Sequence, residues 1–100
     1  MAEYFPPEIP LTQSRNEAFN AIVSGATKQN LVRIRYRDKE GLISERNIEP
    51  YQFKEGKLFG YDVEKMGIRS FKTENITGAI TLDEGYEPRY PVLINNDFAI

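Results

Sequence analysis

Residues 31–37 read LVRIRYR, and this stretch decides the fold class. Val32, Ile34 and Tyr36 alternate with Arg33, Arg35 and Arg37. A period of two places apolar groups on one face and charges on the other, as in a half-buried β-strand. Just upstream the period is helical. Ser14 with Glu17 three residues later forms a capping-box pattern, and Ala18, Phe19, Ile22, Val23 and Ala26 follow at helical spacing. These features predict a helix from about Ser14 to Lys28, stopped near Asn30.

Downstream the chain is punctuated every few residues. Asp38-Lys39-Glu40-Gly41 reads as a turn, followed by a strand over Leu42 to Glu49 that Pro50 interrupts. A short segment, Tyr51 to Lys54, leads to a Glu55-Gly56 turn, then a strand over Lys57 to Val63. Further strands are expected over Ile68 to Thr73 and Ile76 to Leu82, with Gly78 permitting a bend or bulge. The expected fold is mainly β: a small antiparallel barrel of about five strands with one N-terminal helix. Residues 1–13, rich in proline and aromatic residues between Tyr4 and Pro10, read as an extended arm on the domain surface. Residues 14–94 form the helix-plus-barrel domain, and residues 95–100 a tail.

Composition excludes whole classes of chemistry. The 100 residues contain no cysteine and no histidine, which removes disulfides, thiolate nucleophiles, Cys/His zinc sites and histidine acid–base catalysis. Four serines, Ser14, Ser24, Ser44 and Ser70, therefore lack a histidine to activate them, and no metal loop or phosphate-binding glycine loop is present. The expectation is a non-enzymatic domain without a cofactor. No apolar run approaches the roughly 20 residues that span a bilayer, so the chain is expected in the cytoplasm. Net charge is -2, but Leu31 to Lys72 holds ten Lys/Arg against seven Asp/Glu, whereas Arg89 faces five acids after Thr73.

The candidate ligand-binding residues come from charge and parity. Arg33 and Arg35, with Arg37, recur at about 7 Å along one strand face, a spacing suited to phosphates or to a solvated face balanced by Glu45 and Glu49. Arg46 alternates in step with Leu42 and Ile48, and Arg69 in step with Phe71. Both therefore project from faces that also carry apolar groups, where a guanidinium seeks a planar acceptor. That acceptor is either a ligand or an internal carboxylate such as Asp62 or Glu74. Tyr36 and Phe71, among several aromatics interleaved with these arginines, serve either as stacking platforms or as core.

An ordered series of markers then resembles a known family. A helix leads into a strand ending in Tyr36-Arg37-Asp38; Gly41 makes the turn; Arg46, Ile48, Glu49 and Pro50 follow; and GKLFGYDVEKMGIRSFKTENI supplies a central hairpin carrying Leu58, Tyr61, Arg69, Phe71 and Ile76. From the helix through Val92 the chain resembles the WYL domain family. Two positions depart from its pattern: Gly56-Lys57-Leu58 stands where the family has Trp-Tyr-Leu, and Asn75 where it usually has arginine. The resemblance implies an Sm-like small β-barrel that senses ligands, including nucleic acids or nucleotides, in bacterial transcription regulators and in defence or repair systems, with stand-alone versions in phages. It implies basic positions at Arg46 and Arg69, with Tyr36 and Phe71 close by. Two functions follow as expectations: a module recognising single-stranded nucleic acid or a nucleotide, or a protein-interaction adapter or homodimer engaging another chain through a barrel edge or the arm.

Overall fold

The computed structural model describes residues 7–94; the first six residues of the arm and the whole of the expected tail lie outside the described residues. Helix α1 runs from Arg15 to Lys28. Its N-terminus is fixed as expected: Ser14 Oγ accepts from the Glu17 N–H at 3.1 Å, and Glu17 Oε1 accepts from the Ser14 N–H at 3.0 Å. Hydrogen bonding to the Glu17 carboxylate, first from the Ser14 backbone N–H and then from the Ser14 side chain, holds its carboxyl below the usual range. Gln29 closes the other end in the left-handed conformation, its N–H reaching back to Ala26 O.

Five strands follow: β1 (Asn30–Arg37), β2 (Ile43–Lys54), β3 (Lys57–Asp62), β4 (Gly67–Lys72) and β5 (Ile76–Gly85), with a 3-10 turn over Thr73–Asn75 between the last two. β2 is one strand of 12 residues, not the two segments expected around Pro50. Proline is tolerated there because the last β1–β2 pair is Val32 with Ile48, so Pro50 has a strand neighbour on one side only, Gly60 of β3. The register shifts at Tyr51, which takes up the bend as a bulge. A second shift lies between Arg35 and Tyr36 of β1, where Thr77 is the extra residue on β5, beside the expected Gly78.

The sheet is antiparallel throughout, in the order β4-β3-β2-β1-β5. The closed barrel of the sequence reading is not formed: β4 and β5 are the two edges, and among the described residues no ladder joins them. The sheet is nonetheless strongly curled. Laid flat, its edge strands would stand roughly 19 Å apart, farther than the three-residue 3-10 turn can reach, about 14 Å at full extension. The two edges are therefore closer at that end than a flat sheet would allow. There the Lys72 N–H of β4 donates to the Tyr36 hydroxyl of β1 at 3.3 Å.

α1 lies mainly against β5, with lesser contact to β1 and β2. Gly25 is required at this contact, since a Cβ there would collide with Val32 Cγ2. Ile22, Val32, Ile34, Ile48 and Leu58 are fully buried and form the centre of the core, with Val23, Phe71, Ala79 and Ile94 around them. At roughly 2 kcal/mol per buried aliphatic side chain, this cluster supplies the main stabilising term.

Candidate functional site

Asp62, the last residue of β3, is the hub of the site. It shares its face of the sheet with Ile48 and Leu58 and is 0% exposed. Its Oδ1 accepts from the N–H groups of Glu64 and Lys65, both at 3.2 Å, in the turn that follows. Its Oδ2 receives Arg46 Nη1 at 2.9 Å and lies 3.8 Å from Arg69 Nε. The internal acceptor for both arginines is thus Asp62. Arg46 is further held by Nε donating to Ser44 Oγ at 3.3 Å.

The charge count at this point is uneven. One carboxylate faces two guanidiniums, and those guanidiniums remain 26% and 47% exposed. Arg46 and Asp62 open into a cleft lined also by Ser44, Glu45, Glu64 and Lys65, with Arg69 outside that lining. Asp62 orients Arg46 by a charged hydrogen bond and attracts the more exposed Arg69 at ion-pair distance.

The other residues singled out from sequence are placed differently. Arg33 and Arg35 hold the N-terminal arm: Arg33 Nη1 donates to Pro7 O, and Arg35 Nη2 to Ile9 O and Pro10 O, between 3.0 and 3.3 Å. Arg33 Nε also donates to Asn47 Oδ1, and Arg35 lies 4.0 Å from Glu45. Residues 7–13 therefore pack on the domain, with Ile9 buried and Gln13 bonded through its side-chain amide to both N–H and C=O of Ala79. Tyr36 is half-buried and stands edge-on to Phe71, ring centroids 5.1 Å apart. Phe71 itself is 3% exposed, so its ring belongs to the core and supports Tyr36 from within.

A second polar cluster was not visible in the sequence. Glu49, 4% exposed, accepts from the Tyr51 hydroxyl at 2.6 Å and from Arg89 Nε at 3.1 Å. The Arg89 guanidinium also sits 3.9 Å over the Tyr61 ring, and Tyr86 donates to Pro50 O. Residues 86–94 form a strap across β2 and β3: the Leu93 N–H bonds Tyr51 O, and Ile94 enters the core. Burial, with Glu49 nearby, pushes the Tyr86 phenol up to about 12, and the same causes raise Tyr51. Glu49 and Arg89 are 40 residues apart, and the signal available in sequence was only a glutamate next to Ile48 and Pro50 in a strand otherwise turning apolar.

Among known proteins, the family model for the WYL domain matches residues 17–80. The chain belongs to the WYL domain family. One of its two departures from the family pattern has a local explanation. Gly56 adopts φ +74 in the two-residue β2–β3 turn, a left-handed conformation that favours glycine over any residue with a Cβ, while Leu58 keeps the buried position. Asn75 falls in the 3-10 turn between the two edge strands. Proteasome accessory factor B/C (PafBC) of Arthrobacter aurescens is a structural neighbour of this WYL domain, with TM-score 0.62 and 22% identity over 73% of the chain. The alignment covers 13% of that longer protein, so the likeness is one of fold for a single part of it. No curated protein sequence matches the chain. Membership of the family points to a regulatory or ligand-binding module. Among the described residues no helix is long and apolar enough to cross a membrane, and no group of His, Cys, Asp and Glu could hold a metal ion.

Proposed function

We propose that this WYL domain is a non-enzymatic sensing module that takes an anionic ligand, a single-stranded nucleic acid or a nucleotide, at Arg46 and Arg69. The observation that carries the proposal is the pairing of two part-exposed guanidiniums with one buried carboxylate. Within the Arg46–Asp62–Arg69 cluster one positive charge is left over, and Arg46, held by Asp62 and Ser44 at a cleft that Glu45 and Glu64 also line, meets a phosphate as an oriented donor at little further entropic cost. Tyr36 offers a half-buried ring on the neighbouring strand, and Lys65 a flexible cation at the cleft rim. Arg33 and Arg35 stand apart from this surface: Arg46 is the register partner of Ile34, so the two alternate arginines project from the opposite face, where they hold the arm.

The test is a titration of labelled single-stranded oligonucleotide at low and moderate salt. Binding should saturate, weaken with salt and weaken at least tenfold in Arg69→Ala, whose melting temperature stays near that of the parent because Arg69 is half-exposed. If Arg69→Ala melts like the parent and binds equally well, the site is wrong.

A protein-interaction adapter is the second reading. It is favoured by exposed apolar side chains around the β1–β2 and β3–β4 turns, Leu42, Ile43, Met66 and Ile68, and by the net charge of -2. No oligonucleotide binding at low salt, where attraction is greatest, together with self-association lost on replacing Ile43 and Ile68 by serine, selects this reading.

A further inference from the structure

Lys54, Lys57 and Lys72 form a row across three strands. Lys54 of β2 is the register partner of Lys57 of β3, and Lys57 is the register partner of Lys72 of β4. Directly opposed residues point to the same face with Cβ atoms about 5 Å apart. All three side chains are exposed, and among the described residues none has an ion-pair partner. Like charges directly opposed across strands destabilise a sheet, and here the opposition occurs twice in succession.

The row borders a cleft on the helix side. Arg15, the first residue of α1, lines it together with Lys57, Lys72 and Thr73. Its floor is pinned by Thr73, whose N–H and hydroxyl both donate to Gly56 O, at 2.9 and 3.1 Å. Two carboxylates, Glu55 and Glu74, also line the cleft, so three cations face two anions there, with Lys54 a fourth cation beside it in the row. This site is separate from Arg46 and Arg69: Arg69 and Lys72 are three residues apart on β4 and point to opposite faces, Arg69 with Phe71 toward the core side and Lys72 with Ser70 outward.

We infer that the Lys54–Lys57–Lys72 row with Arg15 is a second anion-binding site that takes consecutive phosphate groups. A single monovalent anion neutralises one lysine; only a chain of linked charges relieves both oppositions at once. Lysine ammoniums act as adaptable point charges on phosphate, so the site selects phosphate spacing and charge rather than base identity. Two sources carry this chemistry, a free oligophosphate and the backbone of a nucleic acid strand.

The experiment uses inorganic triphosphate and a thymidine 12-mer as probes, in thermal melts and binding titrations of the whole domain at low salt. The parent should be stabilised by triphosphate, and Lys57→Gln/Lys72→Gln should lose that shift while melting, without ligand, at or above the parent because an opposed pair has been removed. Arg15→Gln, which leaves the strands untouched, should weaken triphosphate binding as well. For the 12-mer, the double variant should lower the slope of log affinity against log salt by about 1.4, two contacts at about 0.7 each on a single strand. Arg69→Ala should leave the triphosphate shift intact, which separates this site from the one proposed above. Saturation by triphosphate alone assigns the free oligophosphate; tighter binding of the 12-mer assigns the strand. Absence of any triphosphate shift in the parent, or an equal shift in Lys57→Gln/Lys72→Gln, overturns the inference.

Discussion

Replacing Asp62 by Asn should move stability and ligand affinity in opposite directions. The amide oxygen can keep the Glu64 and Lys65 N–H bonds, but its NH2 group then faces Arg46, donor against donor. Breaking a fully buried ion pair by removing one partner costs about 3–5 kcal/mol. Arg46 is a quarter exposed and Arg69 nearly half, so both can turn to water. The expected loss is nearer that of one charged hydrogen bond, about 2 kcal/mol. For a domain of this size it lowers the melting temperature by roughly 8–16 °C. Binding goes the other way, since removing one negative charge a few ångströms from the ligand phosphate contributes on the order of 1 kcal/mol, about fivefold in affinity. Urea unfolding followed by circular dichroism, and oligonucleotide anisotropy well below the melting temperature, measure the two effects. A variant as stable as the parent refutes the hub role of Asp62. A folded variant that binds more weakly refutes the argument from residual charge.

Three other changes follow from the packing. Gly78→Ala places a Cβ 2.6 Å from Ile9 Cγ2, so the arm should lift and become sensitive to limited proteolysis, at a cost of about 1–3 kcal/mol; an arm as resistant as before would contradict this. Leu58→Ala should destabilise by about 2–5 kcal/mol in chemical denaturation, because its surroundings at the sheet centre leave little room for collapse. The folded domain holds the Tyr86 proton to about pH 12, whereas an ordinary phenol releases it near 10. Its contribution is complete below about pH 10 and lost as pH rises toward 12; tyrosinate absorbance should show late titration, and Tyr86→Phe should flatten the alkaline fall in stability.

Much of the architecture was legible because its determinants are local. Ser14 and Glu17 write the helix start within four residues, and the alternation of Val32, Ile34 and Tyr36 with arginines fixes which way β1 faces. Pro50 misled because its effect depends on whether a neighbour needs its N–H, a property of the sheet and not of β2. Closure failed to read out for the same reason: period two tells faces apart and says nothing about edges. At the site, parity brought Arg46 and Arg69 forward, and Asp62 was one of two carboxylates named for them. The Arg33 and Arg35 stripe was legible as charge, but not its occupancy by carbonyls of Pro7, Ile9 and Pro10 about 26 residues earlier in the chain. The lysine row requires the registers of two separate hairpins, and the Glu49–Arg89 pair a contact across 40 residues.

The bidentate grip of Gln13 on Ala79 bears on what the domain avoids. An edge strand offers its outward N–H and C=O groups to any passing chain, and β5 is the longer of the two edges. With both polar groups of its middle residue already taken by an amide, a stranger cannot zip along β5 in register without first evicting that side chain. β4 is protected by shortness and by the cations Arg69 and Lys72. Runaway stacking into fibrils is thereby discouraged at each border by a different device, one steric and one electrostatic.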